Sequence, residues 1–254
     1  MAIRIKESLL VALLVTVTHP ANAQSDKDIE EAMNIFNRGK SLHQERRYQD
    51  AIREYQFALK LDSENPFMHN AMGLALAATG DFKQALVSFE MALKINPDLT
   101  DAYNNMGMAY AESGLRDQAF EAFGRAARNP RYLTPEKALY NIGNLYLDEQ
   151  NLDLALTFFR RAVEKAPEFA LGYRGIGKVY LLMEDIEGAE KQFLKAIEIA
   201  EFEVESLFQL ARICEKRGDA TEALKFYRRV VEIDRLSYFG QLALESLDTL
   251  KKSS

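Results

Sequence analysis

The feature that most constrains this chain is a period. From Ala32 the sequence lays out in register as six units that begin at residues 32, 66, 100, 136, 170 and 204. The eighth place of each unit holds a small residue: Gly39, Gly73, Gly107, Gly143, Gly177 and then Ala211. Further along each unit comes an alanine, Ala51, Ala85, Ala119, Ala155, Ala189 or Ala223. One helical turn beyond it stands an aromatic ring, Tyr55, Phe89, Phe123, Phe159, Phe193 or Tyr227, followed by Ala58, Ala92, Ala126, Ala162, Ala196 or Val230. Glycine inside a helix costs about 1 kcal/mol relative to alanine, so its recurrence demands a packing reason. Within a unit, apolar residues at spacings of three and four define two short amphipathic helices. Pairs such as Gly80-Asp81 and Gly218-Asp219 supply the turn and cap between them. The small residues let the two helices approach, and the ring fills space against the neighbouring unit. One such hairpin cannot bury its apolar face alone, whereas stacked hairpins can. The predicted fold is therefore all-α, a right-handed superhelical solenoid with a concave groove.

The pattern resembles the tetratricopeptide repeat, whose small, aromatic and proline positions recur every 34 residues, and it covers about residues 32–237. Residues 238–254, with Leu242, Leu244, Leu247 and Leu250, suit a capping helix and tail, and residues 24–31 read as an N-terminal lead whose start, QSDKD, precedes the first helix. The first 23 residues differ in kind. Arg4 and Lys6 precede an apolar run from Leu9 to Val17, and Ala21-Asn22-Ala23 has small residues where a signal peptidase cuts, so Gln24 is the expected mature terminus. About nine apolar residues fall well short of the roughly 20 that span a bilayer. Losing Arg4, Lys6 and Glu7 takes the net charge from −6 to about −7, a surface that does not attract nucleic acid or anionic lipid in bulk. Cys214 has no second cysteine to pair with, so folding rests on packing alone, and its place in the unit predicts a buried thiol.

One junction breaks the period. Gly107 and Gly143 stand 36 residues apart, across RNPRYLTPEKALYNIG from Arg128 to Gly143. Asn129-Pro130 reads as a helix stop, and Thr134-Pro135-Glu136 as a restart with a capping residue and a first-turn proline, so the two extra residues fall in a turn. With Asn129, Pro130, Tyr132, Leu133, Pro135 and Asn141-Ile142-Gly143 at this link after the third of six repeats, the chain is similar to the type IV pilus biogenesis family. Members of that family are pilotins that help the outer-membrane secretin assemble. The resemblance implies a periplasmic scaffold for a secretin or pilus-machine subunit. The family's lipidated cysteine is missing, since the end of the leader reads VTHPANAQ, so the resemblance implies secretin assembly more than outer-membrane anchoring.

No catalytic constellation, phosphate-cradling loop or metal-ligand spacing appears, and His43 and His69 have no partners at ligand spacing. The reading is a non-enzyme without cofactor or metal, and the candidate site is the groove. In register, places two, five, six, nine and twelve of each first helix face it. They carry Phe67, Asn70 and Leu74 in unit two, Asn104, Asn105 and Met108 in unit three, and Tyr140, Asn141 and Asn144 in unit four. Amides there can donate to and accept from an extended peptide backbone, and Phe, Leu and Met offer apolar pockets. Units five and six change character, with Arg174, Lys178, Phe208 and Arg212 pointing to a site for acidic groups. A general periplasmic adaptor for envelope or secretion machinery, or a regulatory subunit of an enzyme, would carry the same features.

Overall fold

The computed structural model describes residues 25–253, so the leader and its cleavage site lie outside the described residues. Within them the chain forms thirteen helices, taken as pairs with one left over. The pairs are α1 Asp26–Gln44 with α2 Tyr48–Leu61, α3 Pro66–Ala78 with α4 Phe82–Ile95, and α5 Thr100–Glu112 with α6 Arg116–Arg128. They continue as α7 Pro135–Asp148 with α8 Leu152–Lys165, α9 Ala170–Leu182 with α10 Ile186–Ile199, and α11 Val204–Arg217 with α12 Ala220–Asp234. The last helix is α13, Tyr238–Ser253. Each helix packs on its neighbours in the chain, and first helices also touch one another (α1 with α3, α3 with α5, α5 with α7 and α7 with α9), which makes them the inner lining of a solenoid. The lead is shorter than the sequence implies: Ser25 caps α1 through a capping box with Asp28, so Asp26–Glu31 are already helical.

The turn inside each unit explains where its first helix stops. The fifteenth place takes a left-handed backbone in all six units, as Gly80, Gly114 and Gly218, but also as Arg46, Gln150 and Glu184. Glycine adopts this conformation without strain, and the other three hold it because the two helices pack on either side. Next to the glycines, Asp81 and Asp219 accept the backbone N–H of Gln84 and Glu222, and Asn151 and Asp185 cap the second helices of units four and five in the same way.

Every recurring alanine and ring of the repeat is buried. The eighth-place glycine serves a different end from close backbone approach. A Cβ built on Gly73, Gly107, Gly143 or Gly177 would meet the ring of its own unit at 2.6 or 2.7 Å, so the glycine is the seat of that ring. The ring then reaches the next unit as well, since a Cβ on Gly175 would lie 2.7 Å from Phe159. At the end of the stack, α13 covers the last pair with Ala243 and Leu247.

The irregular junction is a longer turn and leaves the stack intact. α6 ends at Arg128, and Pro135 opens α7 at its first turn, but the Thr134 side chain makes no capping bond. Tyr132 is buried with Ala126 and Ala138 just as Leu99 is buried with Ala92 and Ala102 at the preceding junction. The added length therefore follows the plug, in a turn where Leu133 is 93% exposed.

Candidate functional site

The inner face is built from the first helices, and the structure divides it into three stretches. At the N-terminal end a groove of about 520 Å³ opens between α1 and α3. Phe67, Asn70 and Leu74 line it as expected, with Phe67 57% exposed. Met33, Phe36, Lys40 and His43 form its other wall. These stand at places two, five, nine and twelve of unit one, so extending the same register one unit further would have found them. Burial pushes the His43 imidazole below its ordinary value of 6.5.

In the middle, the asparagines form rungs between units. Asn105 Nδ2 donates to Asn70 Oδ1 at 3.1 Å, and Asn141 Nδ2 donates to Asn104 Oδ1 at 3.1 Å. Asn104 in turn points its Nδ2 at Met108 Sδ, 3.8 Å away, and is itself buried. These amides therefore do not stand free as the sequence reading supposed. Each spends part of its capacity on the neighbouring unit, which fixes its orientation and leaves further donors and acceptors for a ligand. Met108, 48% exposed, and half-buried Asn144 complete this stretch.

The third stretch corrects the sequence reading most. Arg174 is held by the chain itself: it donates to Tyr140 Oη at 2.7 Å and to Glu203 Oε1 at 2.7 Å, with Glu205 at 3.3 Å. Burial opposes the charge on Arg174, and Tyr140, Glu203 and Glu205 together outweigh it, so its pKa is raised. Lys178 pairs with Glu205 at 3.0 Å. Two of the expected cations thus already have carboxylates from α11 and its N-terminus, which the sequence pattern of α9 alone could not reveal. Phe208 is not in the groove at all. It is buried against Tyr227 and Phe239, because α13 closes over the place that faces the groove in earlier units. Arg212 remains exposed, in a second groove of about 320 Å³ between α9 and α11. Cys214 is buried, and burial pushes its thiol up, as a packing residue requires.

The arrangement can hold an extended chain: apolar contacts at one end, oriented amides in the middle and cations at the other. Sequence comparison agrees with the architecture. The profile described as TPR repeat matches residues 39–80 and 73–114, and those described as tetratricopeptide repeat match 100–129, 136–169 and 168–236. This chain is a tetratricopeptide repeat protein. The profiles leave residues 130–135 uncovered, which is the lengthened turn. The tetratricopeptide array also resembles solved structures from end to end. PilW, described as a widely conserved type IV pilus biogenesis factor, is 21% identical, with a TM-score of 0.69 over 84% of this chain and 98% of that one. Pseudomonas aeruginosa PilF is 15% identical, with a TM-score of 0.69 over 87% of this chain and 99% of that one. At these identities the likeness is one of fold. The human protein O-mannosyl-transferase TMTC2 is 24% identical over 99 residues, 38% of this chain. The curated relatives are much longer, and the matched segments make up only 12% and 10% of their lengths. No helix among the described residues is long and apolar enough to cross a membrane.

Proposed function

We propose that this protein is a non-catalytic, periplasmic protein-binding scaffold that assists type IV pilus biogenesis by holding a segment of the secretin during its assembly. The observation that carries the reading is the correspondence in extent: PilW and PilF are each matched over nearly their whole length by a single six-unit array. The lengthened link after unit three and the secretory pattern of residues 1–23 point the same way. On this reading, contact with the outer membrane runs through the partner.

The concave face supplies the means of holding. Phe67 and Met108 expose apolar surface near the asparagine rungs, and a partner's side chains gain by covering them. Burying a side chain of this size contributes about 1.5–3 kcal/mol, and 1.4 kcal/mol is tenfold in affinity. Replacing Phe67 and Met108 together by alanine is therefore expected to weaken binding to a periplasmic secretin fragment by at least about tenfold. Isothermal titration of that fragment against the wild type and the double variant tests it. Equal affinities would place the partner elsewhere on the array.

A further inference from the structure

Among the inner helices, α9 and α11 approach each other least, and a groove of about 320 Å³ opens between them. Its apolar surface comes from Leu181 and Leu182 on α9, Ile186 on α10 and Ile213 on α11. Arg212 and Lys216 stand on the α11 side, and Lys178 on the α9 side. No carboxylate lines the groove. Lys178 is neutralised by Glu205, but Arg212 and Lys216 make no ion pair or hydrogen bond among the described residues. Two unpaired cations beside an apolar cleft that no carboxylate lines form a local positive patch that a ligand of opposite sign would complement.

Their spacing says more. Arg212 and Lys216 are four residues apart on one helix, so they rise about 6 Å along it. In an extended peptide, side chains at alternate positions lie on the same side, about 6.6–6.8 Å apart. The residue between them points the other way. A peptide laid along α11 with two acidic side chains on Arg212 and Lys216 therefore turns its intervening side chain toward Leu181 and Leu182. We infer that the groove between α9 and α11 recognises an internal segment of a partner protein of the form acidic, apolar, acidic in extended conformation. The inference rests on the concave face being the partner-holding surface, and it names the chemistry of one part of that partner.

The test uses the mature chain and a labelled synthetic peptide, blocked at both ends, with Glu-Leu-Glu at its centre and serine and glycine on either side. Fluorescence anisotropy should show saturable binding that weakens as salt is raised. Affinity should fall at least about tenfold when Arg212→Glu and Lys216→Glu are combined, since each contact then becomes a repulsion. The same fall is expected when both peptide glutamates become glutamine, and a smaller one when the leucine becomes serine. Both cations are exposed, so circular dichroism should report an unchanged fold. Affinity that is the same for the charge-reversed variant or for the glutamine peptide would overturn the inference. So would tighter binding of an unblocked peptide that lacks glutamate, which would assign the cations to a chain-terminal carboxylate. If the wild type ignores the acidic peptide while the Phe67 and Met108 variant still loses the secretin fragment, the proposed function stands and this inference falls.

Discussion

Substituting Gly143 by alanine would place a methyl carbon 2.6 Å from Cε1 of Phe159. Carbon atoms pack at about 3.5–4.0 Å, so the ring would have to move by roughly an ångström. It has little room. Phe159 is fully buried, a Cβ on Gly175 of the next unit would come within 2.7 Å of the same ring edge, and the Tyr140 ring stands 5.4 Å away. Overpacking of this kind costs about 1–3 kcal/mol, and the better helix propensity of alanine returns about 1 kcal/mol. Gly143→Ala should therefore lower stability by up to about 2 kcal/mol in the wild type. On a Phe159→Leu background the obstructing ring is gone and only the propensity gain remains, so the same substitution should stabilise by up to about 1 kcal/mol. The two effects differ by about 1–3 kcal/mol, beyond the roughly 0.5 kcal/mol within which independent sites add. Urea unfolding of the four proteins, followed by circular dichroism, measures the difference directly. An equal effect of Gly143→Ala in both backgrounds would refute the assignment of the eighth-place glycine as the seat of its unit's ring.

The junction should separate plug from spacer: Tyr132→Ala, which empties a buried site, is expected to cost about 3 kcal/mol or more, whereas Leu133→Ser should change stability by less than about 0.5 kcal/mol. Urea midpoints decide it, and a costly Leu133→Ser would contradict the exposed turn. Because the asparagine rungs join units, Asn105→Ala combined with Asn141→Ala should lower stability by about 0.5–1.5 kcal/mol for each rung as well as weaken partner binding. A loss of affinity with no loss of stability would mean that the rungs do not hold in solution. The His43 imidazole should titrate below 6.5 by NMR, and, since the unfolded chain then takes up the proton first, His43 should subtract stability as pH falls through 6.5. A midpoint at or above 6.5 would show that the imidazole is not desolvated.

Period and burial were legible because they are the same fact. Four residue classes in phase require one geometry six times, and each repeated alanine and ring is indeed enclosed. The left-handed fifteenth place was legible only where glycine marks it, and Arg46, Gln150 and Glu184 adopt it through tertiary packing that no local signal carries. The register places Phe67, Asn70 and Leu74 on one wall of the groove between α1 and α3. It failed for Phe208, because what lies over a side chain depends on the next helix and not on its own. Charge was least legible. Arg174 and Lys178 look available along α9, and only the approach of Glu203 and Glu205 from the following unit shows that they are taken. Of the cations that line the groove between α9 and α11, Arg212 and Lys216 have no such partner.

The central claim, that the inner face serves secretin assembly, is tested most directly in the cell that makes this protein. The gene is deleted, complemented with the wild type or with the Phe67→Ala and Met108→Ala variant at equal protein level, and heat-resistant secretin multimers are quantified in each strain. The account predicts multimers lost on deletion, restored by the wild type and not restored by the groove variant. Multimers that form undiminished without the gene would contradict it.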